Sequence, residues 1–333
     1  MGTKYKYQKK MKINNRCRII IVSLFLPLFF LISCKKENAN QFNQAKQTVF
    51  QYISTSKSLG LYQAALKRAG MYNAETFSTG GPFTVFAPVD SAFINAGLTL
   101  DSINKYDPQA LALVLKYDIT FGKISAASLV GFYAEDVQSQ NPTFKPRITK
   151  NYYGIFFDGI PLVAGSSMDL GDGALHELKR MPFPPTTDIF DLINKSPDLT
   201  FFAAALKHIG YDAMFSVPPP PNPYITGDAA LYYTLFAPTN EAYKKFGYPD
   251  IAAIYADAPS NLQYYIDTYI IPGKVFTSAF IGGYALAGAN YYVQADGFSI
   301  FAIGNVGLTH IIHPDIVATN GVIHIVDQVI VSH

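Results

Sequence analysis

A fold of mixed helices and strands, built twice in tandem, is what this 333-residue chain predicts. Two repeated blocks carry that expectation, and the length bounds it. The decapeptide TVFAPVDSAF at Thr84 returns as TLFAPTNEAY at Thr234. A longer block, FQYISTSKSLGLYQAALKRAGM from Phe50, returns as FDLINKSPDLTFFAAALKHIGY from Phe190. Internal similarity of this extent marks one structural design used more than once. The length itself is too great for one typical domain and comfortable for two.

The chain opens with seven basic residues and no acidic one, Lys4, Lys6, Lys9, Lys10, Lys12, Arg16 and Arg18. The uncharged run Ile19 to Ile32 that follows has 14 residues, short of the roughly 18–20 that a helix needs to cross a bilayer. A basic head before a short apolar run is the pattern of an export signal, and it reads equally well from Met1 or Met11. The alternative, a permanent anchor helix, is disfavoured by that length and by Pro27. Where the run stops stands LISC, Leu31 to Cys34, which resembles a bacterial lipobox. The resemblance implies that residues 1–33 are removed and that Cys34 is acylated and becomes the first mature residue, with residues 34–40 as a polar tether. Several acyl chains on one residue hold a membrane stably.

Cys17 lies in the leader and Cys34 would carry lipid, so no thiol or disulfide remains for the folded part. The whole chain has formal charge +2, but without its seven leader cations residues 34–333 hold 19 basic against 24 acidic groups, net −5. That mildly acidic balance excludes a nucleic-acid partner. Charged residues are only 15% of the chain and Tyr and Phe number 23 and 25, a composition for packed cores rather than a disordered stalk.

Along the second copy, Phe201, Phe202, Ala205, Leu206 and Ile209 recur on one helical face, and Gly210 is placed to end that helix. The decapeptide predicts a half-buried strand, a turn and a helix start. Ala87 and Ala237 precede Pro88 and Pro238 and are pushed toward extended geometry. Asp90 in the first copy, and Thr239 or Asn240 in the second, are expected to cap the helix that follows. Thr84, Phe86, Thr234 and Phe236 then recur as parts of one corner built twice. A third block, LVLKYDITFGKI, aligns with YYIDTYIIPGKV and places Gly122-Lys123 opposite Gly273-Lys274. The copies close with DGALHEL, holding His176, and TNGVIHIVDQVIV, holding His324, where a turn at Asn320-Gly321 leads into a closing strand. The first closing strand reads as degraded, running into the proline-rich Lys179–Pro185 connection, short and stiff.

This ordered set resembles the fasciclin domain, twice, over about residues 41–184 and 185–333. The resemblance implies an α+β fold, each domain a β-sandwich or wedge with helices packed around one end. Thr84, Phe86, Ala87, Pro88, Asp90, Thr234, Phe236, Ala237, Pro238, Asn240, Gly321 and His324 fall on the family's motif positions with structural roles. The chain departs from the family at the histidine of its Tyr-His block, which is Asp118 in one copy and Tyr269 in the other. That neighbourhood carries integrin-linked adhesion in animal members, a role these two substitutions do not support.

Chemistry is sparse. There is no nucleophile elbow, phosphate loop or CxxC pair, so neither catalytic residues nor a cofactor is expected. The nearest thing to a metal cluster is His310, His313 and Asp315. Residues three apart on a strand face opposite ways, and Pro314 disfavours a helix, so no metal site is expected. His176 and His324 read as strand histidines satisfied by backbone. Pro218, Pro219, Pro220 and Pro221 favour a stiff polyproline II segment that, with Tyr224, forms a candidate binding loop, a solvated spacer being the alternative. Tyr152, Tyr153, Tyr291 and Tyr292 are a candidate sugar-stacking surface, against core packing for most of them.

The function expected is a membrane-anchored, non-catalytic surface protein of adhesion type, binding protein or matrix. The alternative is a glycan-binding accessory lipoprotein of an outer-membrane nutrient uptake system. Lys35 after Cys34 is unlike the aspartate that retains lipoproteins in the inner membrane, so a cell outer membrane location is expected.

Overall fold

The structure, a computed structural model, describes residues 46–218, 231–285 and 291–331. The leader, Cys34, the tether, Pro219, Pro220, Pro221 and Tyr224 lie outside the described residues.

In the first half, helices Val49–Thr55, Gly60–Arg68 and Glu75–Ser78 precede strand β1 (Phe83–Pro88). Helices Asp90–Asn95, Leu100–Lys105 and Pro108–Tyr117 lead on to β2 (Ile119–Phe121). Six strands follow: β3 (Tyr133–Asp136), β4 (Arg147–Asn151), β5 (Gly154–Phe157), β6 (Ile160–Pro161), β7 (Met168–Asp169) and β8 (Gly173–Leu178). They form two sheets, ordered β2-β1-β8-β7 and β3-β4-β5-β6. All six residues of β1 and of β8 are buried, the polar Thr84, His176 and Glu177 among them. The two strands pair in parallel, so the chain between them must cross over, and the body of the domain is that crossover.

The second half repeats the plan. Helices Ile189–Lys195, Thr200–Ile209 and Asp212–Phe215 precede β9 (Tyr233–Pro238), and Asn240–Phe246, Ile251–Ala256 and Pro259–Ile266 separate it from β10 (Ile270–Pro272). A short helix, Thr277–Phe280, leads to β11 (Tyr284–Ala285), β12 (Tyr291–Val293), β13 (Ser299–Ala302), β14 (Thr309–Ala318) and β15 (Gly321–Val326). These make one seven-stranded sheet, β10-β9-β15-β14-β13-β12-β11. The ten-residue β14 carries register shifts between Ile311 and His313 and between His313 and Ile316. Such bulges bend a strand, so it can serve both ends of one sheet. In the first half the same role falls to β6 and β7, broken by a turn at Gly165, and the sheet divides in two.

The apolar residues separate accordingly. One cluster gathers Val49, Leu66, Phe93 and Leu115, and a smaller one Phe86, Tyr117 and Phe157. The second half has its own, around Phe202, Phe236, Tyr269 and Ile323. Thr84 and Thr234 occupy like surroundings, one in each.

Three local expectations change. The closing strand of the first half is complete: β8 pairs with β1 from Gly173 to Leu178, residue for residue as β15 pairs with β9. The proline-rich connection, expected only to be short and stiff, is also packed into the fold, with Met181, Pro182, Pro184 and Pro185 buried. In the second hairpin the turn is Thr319-Asn320, and Gly321 is already the first residue of β15. Gly321 is needed for closeness, not for turn geometry: a β-carbon there would overlap the Tyr233 carbonyl oxygen.

The helix caps are also exchanged between elements. Thr239, not Asn240, caps its own helix, accepting from the Ala242 amide. Asn240 Oδ1 instead accepts from the Phe201 amide at 2.9 Å, at the start of the long helix Thr200–Ile209. Asp90 does the same in the first half, accepting from the Leu61 amide at 2.7 Å, while its own helix begins at Val89 without a side-chain cap. Each residue stitches the strand-turn corner to an earlier helix, so it satisfies an orphan N–H across a tertiary contact. Gly210 ends the long helix at φ 77, where a glycine adopts the left-handed conformation without cost.

Candidate functional site

The repeated polar residues converge on one backbone turn in each half. The Thr84 hydroxyl donates to the Gly122 carbonyl at 2.8 Å and accepts from the Ile124 amide at 2.7 Å. Thr234 does likewise with Gly273 at 2.6 Å and Val275 at 2.9 Å. On the neighbouring strand, His176 Nε2 meets the Ile124 carbonyl at 2.8 Å and His324 Nε2 meets the Val275 carbonyl at 3.0 Å. Threonine and histidine thus clamp the Gly-Lys turn from two sides.

A carbonyl can only accept, so Nε2 carries the proton in both rings. Nδ1 of His324 then accepts from the Asp315 amide at 3.1 Å, and Nδ1 of His176 from the Ser167 hydroxyl at 2.9 Å. Burial holds both rings below the ordinary imidazole pKa, and every ring nitrogen is occupied. A histidine so bound is a fastener and has no lone pair left for proton transfer. Phe86 and Phe236 pack beside these rings, with centroids 5.1 and 5.6 Å away. Ala87, Pro88, Ala237 and Pro238 complete the central strands opposite Glu177, Leu178, Ile325 and Val326.

Both departures from the family histidine are buried. Among the described residues, neither carboxyl oxygen of Asp118 nor the Tyr62 hydroxyl has a hydrogen-bond partner. Burial, and then the charge of Asp158, push Asp118 well above the usual carboxylate range. The folded state therefore holds the Asp118 proton more tightly than the unfolded chain does. Stability contributed by the neutral form is present at low pH and is lost as pH rises past about 4, where the unfolded carboxyl ionises. Asp118→Leu, which keeps the branched shape, is expected to stabilise the chain at pH 7 by about 1–3 kcal/mol and by less near pH 3, where no ionisation cost is left to remove. Urea melts at the two pH values measure this, and a loss of stability at pH 7 would refute it.

A second polar group lies where the two halves meet. Asp136 of β3 accepts from Arg147 Nε at 2.8 Å and from Lys274 Nζ of the second half at 2.9 Å. Burial alone would raise Asp136, but Lys274 and Arg147 outweigh it and hold the carboxyl low. Asp158 and Gly159 form the two-residue turn between β5 and β6, both at positive φ, as an Asp-Gly hairpin turn requires. The Asp158 carboxylate accepts from the Tyr117 hydroxyl at 2.7 Å and the Arg147 amide at 2.8 Å. Burial lifts Asp158 to about 6 against the pull of Lys274. On the other side of that turn, Arg180 of the connection reaches Asp315 Oδ2 at 2.6 Å, and Thr277 donates both its amide and its hydroxyl to the same carboxylate. Of these residues the sequence singles out only Lys274, in a turn, and Asp315, in a loose histidine-aspartate cluster, and it points to neither ion pair. The available signals were the Asp-Gly pair and a lone arginine among buried prolines.

The remaining candidates scatter. His310 pairs with Asp327 at 3.2 Å on the surface, His313 is exposed, and Asp315 faces inward, so the three do not converge. Among the described residues no group of three or more His, Cys, Asp or Glu is placed to hold a metal ion. Pro218 is exposed at the edge of the described segment. The four tyrosines do not make one surface. Tyr291 is buried, its hydroxyl donating to the Thr268 carbonyl, while Tyr292 stacks on Phe301 with centroids 5.4 Å apart. Tyr152 and Tyr153 form the exposed turn between β4 and β5 and border a groove of about 640 Å³ at the seam between the halves. No described helix is long and apolar enough to cross a membrane.

Comparison with known proteins agrees with this architecture. The model of the Fasciclin domain family matches residues 58–181 and again 197–332. The chain is similar to transforming growth factor-beta-induced protein ig-h3 of Sus scrofa, 24% identical over 252 residues that cover 75% of this chain and 35% of that protein. It is similar to periostin of Homo sapiens, 29% identical over 175 residues, 48% of this chain and 18% of that one. Protein sll1483 of Synechocystis sp. is 26% identical over 140 residues, 41% of this chain and 74% of its own length. The chain thus spans only about a third or less of the first two relatives. Among solved structures, a FAS1 domain pair from the insect cell adhesion molecule Fasciclin I aligns with 81% of this chain and 95% of its own, at 14% identity and a TM-score of 0.36.

Proposed function

This chain belongs to the fasciclin domain family, and from that premise we propose that it is a non-catalytic binding protein of adhesion type, held to the cell outer membrane by lipid on Cys34. One observation carries the reading. The polar groups that recur in both halves, Thr84, His176, Thr234 and His324, are buried and spend their hydrogen bonds within the chain, chiefly on its backbone. What recurs is therefore scaffold, and what is left to act is surface. The lipobox-like LISC and the basic leader support the anchor. The binding partner on this reading is a protein, matrix component or glycan outside the cell. The second reading, a glycan-binding accessory of a nutrient uptake system, draws support from the exposed rings beside the seam groove.

Two measurements test the proposal. Cys34→Ala is expected to move the protein from the membrane pellet to the soluble fraction and to abolish incorporation of labelled fatty acid. Deleting the gene is expected to weaken attachment of the cells to matrix-coated surfaces under flow, with attachment restored by the intact gene and not by Cys34→Ala. An unchanged membrane fraction would remove the anchor, and reproducible hydrolysis of an ester or glycoside by the purified chain would remove the non-catalytic reading.

A further inference from the structure

The groove at the seam is left unused by the clamps and ion pairs described above. Its first wall is Phe132, Tyr133 and the Tyr152-Tyr153 turn; its second includes Ser278, Gly282 and Gly283. Asn151 ties the walls together, its amide donating to the Ser278 carbonyl at 2.8 Å. A volume of about 640 Å³ falls within the roughly 300–1,000 Å³ common to small-ligand sites.

Four features set it apart from ordinary apolar surface. Phe132 and Tyr152 are 87% and 88% exposed and Tyr153 is 55% exposed, although large aromatic rings gain most from burial. Gly282 and Gly283 present bare backbone at φ 95 and 96, and a β-carbon on Gly282 would lie 2.7 Å from the Tyr153 hydroxyl. The Ser278 hydroxyl is buried and has no hydrogen-bond partner among the described residues. Lys150 is the single charged residue of the lining, and Glu135 on the paired strand spends its carboxylate on the Tyr133 hydroxyl at 3.2 Å. The Lys150 ammonium spends one of three donors, on the Asn151 carbonyl at 2.9 Å.

We propose that this groove binds an acidic oligosaccharide, with the C–H faces of its sugars on Phe132 and Tyr152 and a uronate carboxylate at Lys150. Charge complementarity selects the acid: the groove offers a cation and no anion. An apolar peptide would satisfy the rings and leave the remaining donors of the ammonium unused. A lone inorganic anion would satisfy the ammonium and leave the rings in water. One sugar acid ring supplies an apolar face, hydroxyls and a negative charge together. The inference rests on the binding reading above and narrows it to a site and a ligand class.

Calorimetric titration of the intact chain with oligogalacturonate, a neutral cello-oligosaccharide and an apolar peptide tests it. Oligogalacturonate is expected to bind, and to bind more tightly than the neutral sugar. The double variant Phe132→Ala/Tyr152→Ala, which removes only exposed rings, is expected to weaken binding about tenfold or more with the melting temperature retained. Lys150→Gln is expected to erase the preference for the acidic sugar. No saccharide binding by the intact chain, full binding by the double variant, or preference for the peptide would each overturn the assignment. Surface attachment that persists in a chain binding no saccharide overturns this inference alone and leaves the adhesion reading standing.

Discussion

Gly321→Ala is expected to prevent the second half from folding. Gly321 sits opposite Tyr233 in the parallel pair of β15 and β9, two adjacent interior strands of the sheet. The added methyl would occupy the space of the Tyr233 carbonyl oxygen and lie 2.7 Å from the Ile189 side chain. Neither strand can retreat, because β10 and β14 flank them on both sides. Overlap with backbone that cannot yield belongs with the rare substitutions that cost more than about 4–5 kcal/mol. Gly210→Ala is the matched control: its φ of 77 imposes strain, but nothing lies within 4 Å of the new atom. A cost of about 1–2 kcal/mol is expected there. Guanidinium melts of the purified chain read both, and a Gly321→Ala protein as stable as Gly210→Ala would contradict the close-approach account.

Removing the arginine from the connection is expected to have the next largest effect. The Asp315 side chain is fully buried, and Arg180 is the cation that neutralises it, itself 37% exposed. Arg180→Ala leaves a buried carboxylate with only the Thr277 donors. Breaking a buried pair costs about 3–5 kcal/mol, and water reaching the arginine's place moderates this to about 2–3 kcal/mol. In an Asp315→Asn background, where no charge is stranded and the positive φ of 61 still suits the residue, the same substitution is expected to cost under about 1 kcal/mol. The double-mutant cycle decides: equal losses in the two backgrounds would mean that Arg180 acts by packing alone.

Much of each core was legible in the chain, because a repeat of buried strands and a helix with one apolar face leaves a periodic trace. Phe201, Phe202, Ala205 and Leu206 are buried as their spacing implies, although Ile209 is only half-buried and Ala203 and Ala204 are buried as well, and Thr84 and Thr234 fall in matching places. What escaped was whatever depends on partners far apart in sequence. Asp90 and Asn240 look like caps of the helices they begin, yet each serves a helix some thirty to forty residues earlier. Lys274 meets Asp136, already paired with Arg147 across β3 and β4, only because the two halves press together, and no local pattern encodes that meeting. Tyr291 and Tyr292 show the limit of alternation, which assigns adjacent residues to opposite faces without saying which face is wet. The groove was half visible, in Tyr152 and Tyr153; its other wall, Ser278 and the Gly282-Gly283 pair, carries no sequence signature of binding.

The exchanged caps give the duplicated halves unequal temperaments. The same corner is sewn by a carboxylate in the first, Asp90, and by a carboxamide in the second, Asn240. Only the former brings charge to the positive end of a helix dipole, an attraction that dissolved ions weaken. In brine, then, the seam of the earlier half slackens and that of the later half does not notice.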